Sequence, residues 1–149
     1  MRWRCVAAVM LVALASGCGS GGEKKATTAN GKEPARAPQA FARLDPAAFA
    51  GRMNDKDAEL INVHIPYQGE LEGTDAFIPF DKIVGDRRLP KDKGTEILLY
   101  CRTGRMSEEA GTALHNAGYT NLAHLEGGMQ GWEAAGHKLI QNPAHAATY

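Results

Sequence analysis

Cys101 ends the apolar run "EILLYC" and is followed by "RTGRMS", a loop with Gly104 at its centre and Arg102 and Arg105 to either side, before a helical pattern begins near Ser107. A thiol in that setting is a candidate nucleophile, because the thiolate is the reactive form and its surroundings all favour the anion. The unpaired amides of a first helical turn, with those of residues 102 to 106, can converge into an anion-holding nest, and the helix dipole adds positive potential. Arg102 and Arg105 add formal charge, so the sulfur is expected to be ionised near neutral pH and open to reagents. Gly104 can take the positive φ that so tight a loop needs. Thr103 offers a hydroxyl to a bound anion, and Ser107 at the helix start is expected to act as a cap. The competing arrangement is an inert core thiol with both arginines in solvent, since free cysteines are often buried.

The other two cysteines belong elsewhere. Residues 1–17, "MRWRCVAAVMLVALASG", pair a basic start at Arg2 and Arg4 with an apolar run from Val6 to Ala15 and then small residues, the pattern of an export signal. The run is too short to span a bilayer. "LASGC" resembles a bacterial lipobox, which implies cleavage before Cys18 and lipid attachment to it; Ala15 stands where that pattern prefers Leu, and an ordinary cut after Ala13 or Ala15 is the alternative. Cys5 would leave with the signal. Cys101 then has no partner for a disulfide in its own domain.

Loss of residues 1–17 takes two of the 17 basic residues and none of the 17 acidic ones, so the remainder carries a net charge of −2. Nothing in that balance favours nucleic acid or an anionic membrane surface, and membrane contact is expected through the lipid alone. Residues 18–40 carry no apolar side chain larger than Ala after Cys18 and are expected to form a flexible tether. Residues 41–149 suffice for one small domain.

Within that domain, β and α signals alternate. Asp45 and Pro46 predict a short helix to about Arg52. "AELINVHI" predicts a buried strand. "AFIPFDKIV" predicts a brief strand near a sheet edge, because Pro79 breaks it. "EILLY" is the clearest buried strand, and Ser107 to Ala117 a helix closed by Gly118. "NLAHL" reads as a strand, "GGMQGWEAAG" as a short helix and "HKLI" as a final extended piece. Strands alternating with helices predict an α/β fold, a mostly parallel sheet covered on both faces. Cys101 then lies at the carboxyl end of a strand, where ligands of such sheets sit.

"CRTGRMS" resembles the active-site loop of rhodanese-like domains, the single-domain sulfurtransferases. "LINVHIP", "AFIPFDKI" and "HLEGGMQGW" extend the resemblance from Phe41 to about Ile140. It implies a five-stranded parallel sheet flanked by helices, and sulfur transfer without a cofactor. Cys101 would attack the outer sulfur of a small anionic donor such as thiosulfate, release sulfite, hold a persulfide, and pass the sulfur to a thiol, cyanide or a protein acceptor. The amides from Arg102 to Met106 would hold the terminal sulfur, while Arg102 and Arg105 orient the donor. The chain departs from the family where Asn62, Val63 and His64 replace an Asp-Val-Arg triplet, and where "GTDAFIPF" replaces Gly-His-Ile-Pro-Gly-Ala. These departures bear on donor choice. His64 could line the pocket, but the commoner outcome is a histidine satisfied by the fold.

Other classes fit less well. Phosphatase-like loops resemble Cys, five residues, then Arg, whereas here the arginine is the fourth residue on, at Arg105. No Cys-X-X-Cys supports a dithiol oxidoreductase. The histidines at 115, 124, 137 and 145 show no ligand spacing, so no metal site is expected. The serious competitor to an enzyme is a tethered sulfur carrier or anion-sensing module in the cell envelope, facing the periplasm or the exterior.

Overall fold

The computed structural model describes residues 41–147; the expected signal, lipidated Cys18 and tether lie outside the described residues. Five strands form one sheet: β1 (Ala42–Leu44), β2 (Glu59–Asn62), β3 (Ala76–Phe77), β4 (Ile97–Tyr100) and β5 (Leu122–Leu125). Their order is β1-β5-β4-β2-β3, and every pairing is parallel. The α/β expectation therefore holds, with no antiparallel strand in the sheet.

Alternation along β4 builds the two faces. Ile97, Leu99 and Cys101 point to one core with Ile61, Val63, Ala110 and Leu114, which places helix α2 (Arg105–Asn116) there. Leu98 and Tyr100 point to the other core, with Phe49 of α1 (Pro46–Arg52) and Met129 and Trp132 of α3 (Gly128–Ala134). Burying each such side chain contributes about 1.5–3 kcal/mol, so β4, buried at all four positions, anchors both layers.

Local signals set most boundaries. Asp45 caps α1 by accepting a hydrogen bond from Ala48 N–H at 2.8 Å, with Pro46 as the first helical residue. At the far end of α2, Gly118 takes φ 96° while Gly118 N–H and Tyr119 N–H donate to His115 O and Leu114 O. That paired closure is a Schellman motif, which needs a residue free to adopt the left-handed conformation. β3 is two residues long at the sheet edge, and a 3-10 turn (Phe80–Lys82) follows Pro79.

Two expectations need correction, and two elements are additional to those expected. Helix α2 starts at Arg105, not Ser107, because Gly104 at φ 95° turns the chain into the helix and accepts Glu108 N–H at 3.0 Å. "HKLI" forms no strand: only Ile140 pairs, in an isolated antiparallel bridge with Glu70. β1 and a last short helix α4 (Pro143–Ala146) carried no strong local signal. β1 exists because Ala42, Arg43 and Leu44 pair with Ala123, His124 and Leu125, some eighty residues further along the chain.

Candidate active site

Cys101 follows β4 directly, and its side chain continues the Ile97–Leu99 register toward α2. Gly104 N–H donates to Cys101 Sγ at 3.1 Å, so the loop doubles back and aims an amide at the sulfur. The expected openness is corrected: Cys101 is 1% exposed, a free cysteine in the wall of the core. The register of β4 is the reason, since an inward position at the strand end puts the sulfur beneath the loop rather than above it.

The loop is held from two sides. On the α2 side, Ser107 is the third helical residue and is fully buried. It is not the N-cap; its hydroxyl donates to Gly104 O at 2.9 Å and lies 3.2 Å from His124 Nδ1. Because its single proton goes to the carbonyl, the imidazole donates from Nδ1 to Ser107 Oγ. On the α3 side, Met129 N–H donates to Cys101 O at 2.8 Å and Gln130 N–H to Arg102 O at 3.0 Å. A trans peptide points C=O and N–H in opposite directions. With both carbonyls turned to α3, the amides of Arg102 and Thr103 therefore face away from it.

Gly128 makes this clamp possible. A Cβ there would stand 2.2 Å from Cys101 O and 2.6 Å from Arg102 C, and φ is 57°. "LEGGMQGW" pointed to the segment but not to its task, which exists only once α3 lies against the loop.

The two arginines do different things. Arg102 Nη1 donates to Gln68 Oε1 at 2.7 Å. The Arg105 side chain is 76% exposed, and its Nε lies 3.6 Å from Glu109 Oε1, one helical turn on. Thr103 is exposed, Met106 half-buried against the α2-side core and Gly104 buried. A cavity of about 250 Å³ opens beside the loop between Arg43, Thr103, Gly104, Arg105 and Glu126. Its walls mix both charges and include three residues of the cysteine loop, with the buried Cys101 not among them.

A second group of residues stands beyond β2. Val63 N–H donates to Tyr100 O at 2.9 Å, so the two chains still run side by side there, with His64 and Arg102 next along them. Asn62, fully buried, accepts His64 N–H on Oδ1 at 3.0 Å and donates from Nδ2 to Gly69 O at 3.0 Å. That closes the 62–69 loop and sets Gln68 against Arg102.

His64 is 7% exposed, and neither ring nitrogen makes a hydrogen bond. The expected satisfied structural histidine is therefore corrected. Burial holds its pKa below the ordinary value; the Gln68 side chain pulls it back without a well-formed bond, and the Arg102 charge lowers it further. The imidazole is neutral near pH 7. Gln68 and this pair of nitrogens were not visible in the sequence, although the Asn-Val-His departure marked the place. Among the described residues, no group of three or more His, Cys, Asp or Glu could hold a metal ion.

A parallel α/β sheet with one cysteine under a loop between its central strand and a helix N-terminus defines a class of domain. Residues 59–135, from β2 through the end of α3, match the rhodanese-like domain family, and the chain belongs to it. It is 36% identical over 69 residues to the uncharacterized protein slr1261 of Synechocystis, covering 46% of this chain and 38% of that protein. It is 36% identical over 78 residues to a Mycobacterium tuberculosis protein named probable adenylyltransferase/sulfurtransferase MoeZ, covering 49% of this chain and 19% of that protein. The chain thus spans well under half the length of either relative.

Among solved structures, a rhodanese-related protein from Thermoplasma volcanium superposes with a TM-score of 0.58 at 20% identity, covering 68% of this chain and all of that one. A thiosulfate sulfurtransferase from Pseudomonas aeruginosa superposes with a TM-score of 0.57 at 21% identity, covering 68% of this chain and 20% of that one. These likenesses establish a rhodanese-like fold.

Proposed function

We propose that this protein is a sulfurtransferase working through a persulfide on Cys101. The thiolate attacks the outer sulfur of a donor such as thiosulfate; a bond forms to that sulfur, the donor's S–S bond breaks, and sulfite leaves with the electron pair. The sulfur then passes to a thiophilic acceptor, and Cys101 leaves as thiolate. One observation carries the reading: the Gly104 amide aimed at Sγ at the N-terminus of a twelve-residue helix, where backbone dipoles favour an anion. Family membership and the sulfurtransferase name of the mycobacterial relative support it.

Arg102, Thr103 and Arg105, exposed around the buried sulfur, would meet the donor, and the amides from Arg102 to Met106 would hold the terminal sulfur. The test is sulfite release from thiosulfate with cyanide as acceptor, together with the mass of the thiosulfate-treated protein. A gain of one sulfur atom on Cys101 supports the reading; wild-type protein that neither loads sulfur nor releases sulfite refutes it.

The near-complete burial of Cys101 favours a second reading, a carrier or anion-sensing module whose thiol is loaded only when a partner opens the loop. Persulfide formation without turnover on small acceptors would select it. Residues 1–18 support a lipid anchor on Cys18 and a place in the cell envelope facing the periplasm or exterior. The mass of the protein matured in its host checks cleavage and acylation together.

A further inference from the structure

We propose that residues 140–146 form a strap that sets the donor site from behind: latched on the buried Glu70 carboxylate through His145, the strap holds residues 67–70 and thereby the Gln68 side chain that steadies Arg102. This deepens the sulfurtransferase reading and rests on it, since Arg102 is there a residue that meets the donor. Little apolar burial holds the strap. Ile140 is exposed, and α4 buries none of its residues. Its grip is polar instead. Ile140 N–H donates to Glu70 O at 2.8 Å and Glu70 N–H to Ile140 O at 2.9 Å, while Asn142 N–H donates to the Tyr67 hydroxyl at 2.8 Å. His145 Nδ1 lies 2.7 Å from Glu70 Oε2, and because a carboxylate only accepts, the imidazole donates to it. The Asn142 side chain caps α4 by accepting Ala144 N–H at 3.1 Å and keeps its Nδ2 3.2 Å from His145 Nδ1.

These contacts fall on both sides of Gln68. Tyr67 is tied by its hydroxyl and Glu70 by backbone and side chain. The strap lies so close to Gly69 that a Cβ there would stand 2.9 Å from Gln141 Nε2 and 3.2 Å from Ile140 O. Gln68 Oε1 in turn accepts Arg102 Nη1 at 2.7 Å. On the sheet side the loop has moorings of its own, Asn62 Nδ2 to Gly69 O and Leu71 N–H to the Tyr100 hydroxyl. Release of the strap therefore leaves the core closed but frees Tyr67 and Gln68. An Arg102 guanidinium without a fixed acceptor then loses more rotamer freedom when it orders around an anion, which weakens donor capture. A segment held by polar contacts at the surface opens locally at a free energy well below that of global unfolding.

The experiment uses the full chain, with thiosulfate as donor and cyanide as acceptor. His145→Ala removes the latch from a helix that buries nothing and is expected to raise KM for thiosulfate about fivefold, with kcat within about twofold of wild type. His145→Asn sets an amide N–H where Nδ1 stood and is expected to restore KM to within about twofold. Asn142→Ala, which removes the cap of α4 and the second contact to His145, behaves as His145→Ala does. In an Arg102→Ala background the His145→Ala change raises KM by less than about twofold, because the residue through which the strap acts is gone. Folded His145→Ala protein with wild-type KM overturns the proposal, as does a KM rise that is equally large without Arg102 or that His145→Asn leaves in place. Wild-type protein that releases no sulfite overturns the sulfurtransferase reading beneath it, an outcome seen before any strap variant is compared.

Discussion

Gly128 and Cys101 meet backbone to backbone: a Cβ on Gly128 would stand 2.2 Å from the Cys101 carbonyl oxygen. That contact lets Met129 and Gln130 hold the carbonyls of Cys101 and Arg102, and so orients the loop around the sulfur. Neither side can yield, because both are main chain, and φ of 57° already disfavours a side chain. Gly128→Ala is expected to destabilise the domain by about 3 kcal/mol or more and to abolish sulfur loading. Urea unfolding and the mass after thiosulfate treatment measure the two effects.

Cys101→Ser should separate chemistry from folding. The hydroxyl can still accept the Gly104 amide, so the stability change is expected within about 1 kcal/mol, while sulfite release disappears. Retained sulfite release in the serine variant would place the nucleophile elsewhere.

Arg102 and Arg105 are expected to differ on mutation. Arg105 is exposed and paired one turn along its own helix, so Arg105→Ala should change stability by less than about 0.5 kcal/mol and act mainly by raising KM for thiosulfate. Arg102→Ala releases Gln68 as well and should lower stability by about 0.5–1.5 kcal/mol in addition to weakening donor capture. Steady-state kinetics with thiosulfate together with urea unfolding separates them; equal stabilities would show that the Gln68 contact has no consequence.

Asn62→Asp keeps the acceptor for His64 N–H but sets a carboxylate oxygen against Gly69 O in a fully buried position. A loss of about 1–3 kcal/mol near neutral pH is expected. Protonation of the new carboxyl restores a donor to Gly69 O, so the deficit should shrink in acid. Chemical denaturation at two pH values checks it, and a deficit that does not depend on pH would point to a different cause.

His64 also sets a pH dependence of stability. Its folded pKa lies below the unfolded value of 6.5, so between the two the unfolded chain binds more protons and stability rises with pH. The contribution is fully present above the unfolded value and is lost as pH falls through the folded one. Arg102, the charged group facing the ring, opposes its protonation throughout. The stability difference between wild type and His64→Phe should therefore be constant at higher pH and shift in the variant's favour in weak acid. Parallel curves would show that His64 takes up its proton as easily folded as unfolded.

The elements that local chemistry specifies were legible in order. Asp45 and Pro46 open α1, Gly118 closes α2, Pro79 ends the edge strand, and the run from Ile97 to Tyr100 marks the central strand. The cysteine loop was legible for the same reason: its cysteine, its glycine and its helix are neighbours in the chain. Ser107 misled because capping residues and first-turn residues share a composition, and only the left-handed Gly104 decided where the helix began. β1 was missed because three residues acquire strand character from a partner some eighty positions away.

By itself the sequence determined which atoms could do chemistry, a lone thiol with a helix beyond it and a pattern that alternates strand with helix. Tertiary structure alone decided how that thiol is presented. Burial follows from which face of β4 Cys101 occupies, the loop's orientation from the approach of Gly128, and the unmet nitrogens of His64 from how β2 ends beside β4. Each of these is a contact between distant segments, and no spacing along the chain encodes which polar atoms such contacts leave without a partner.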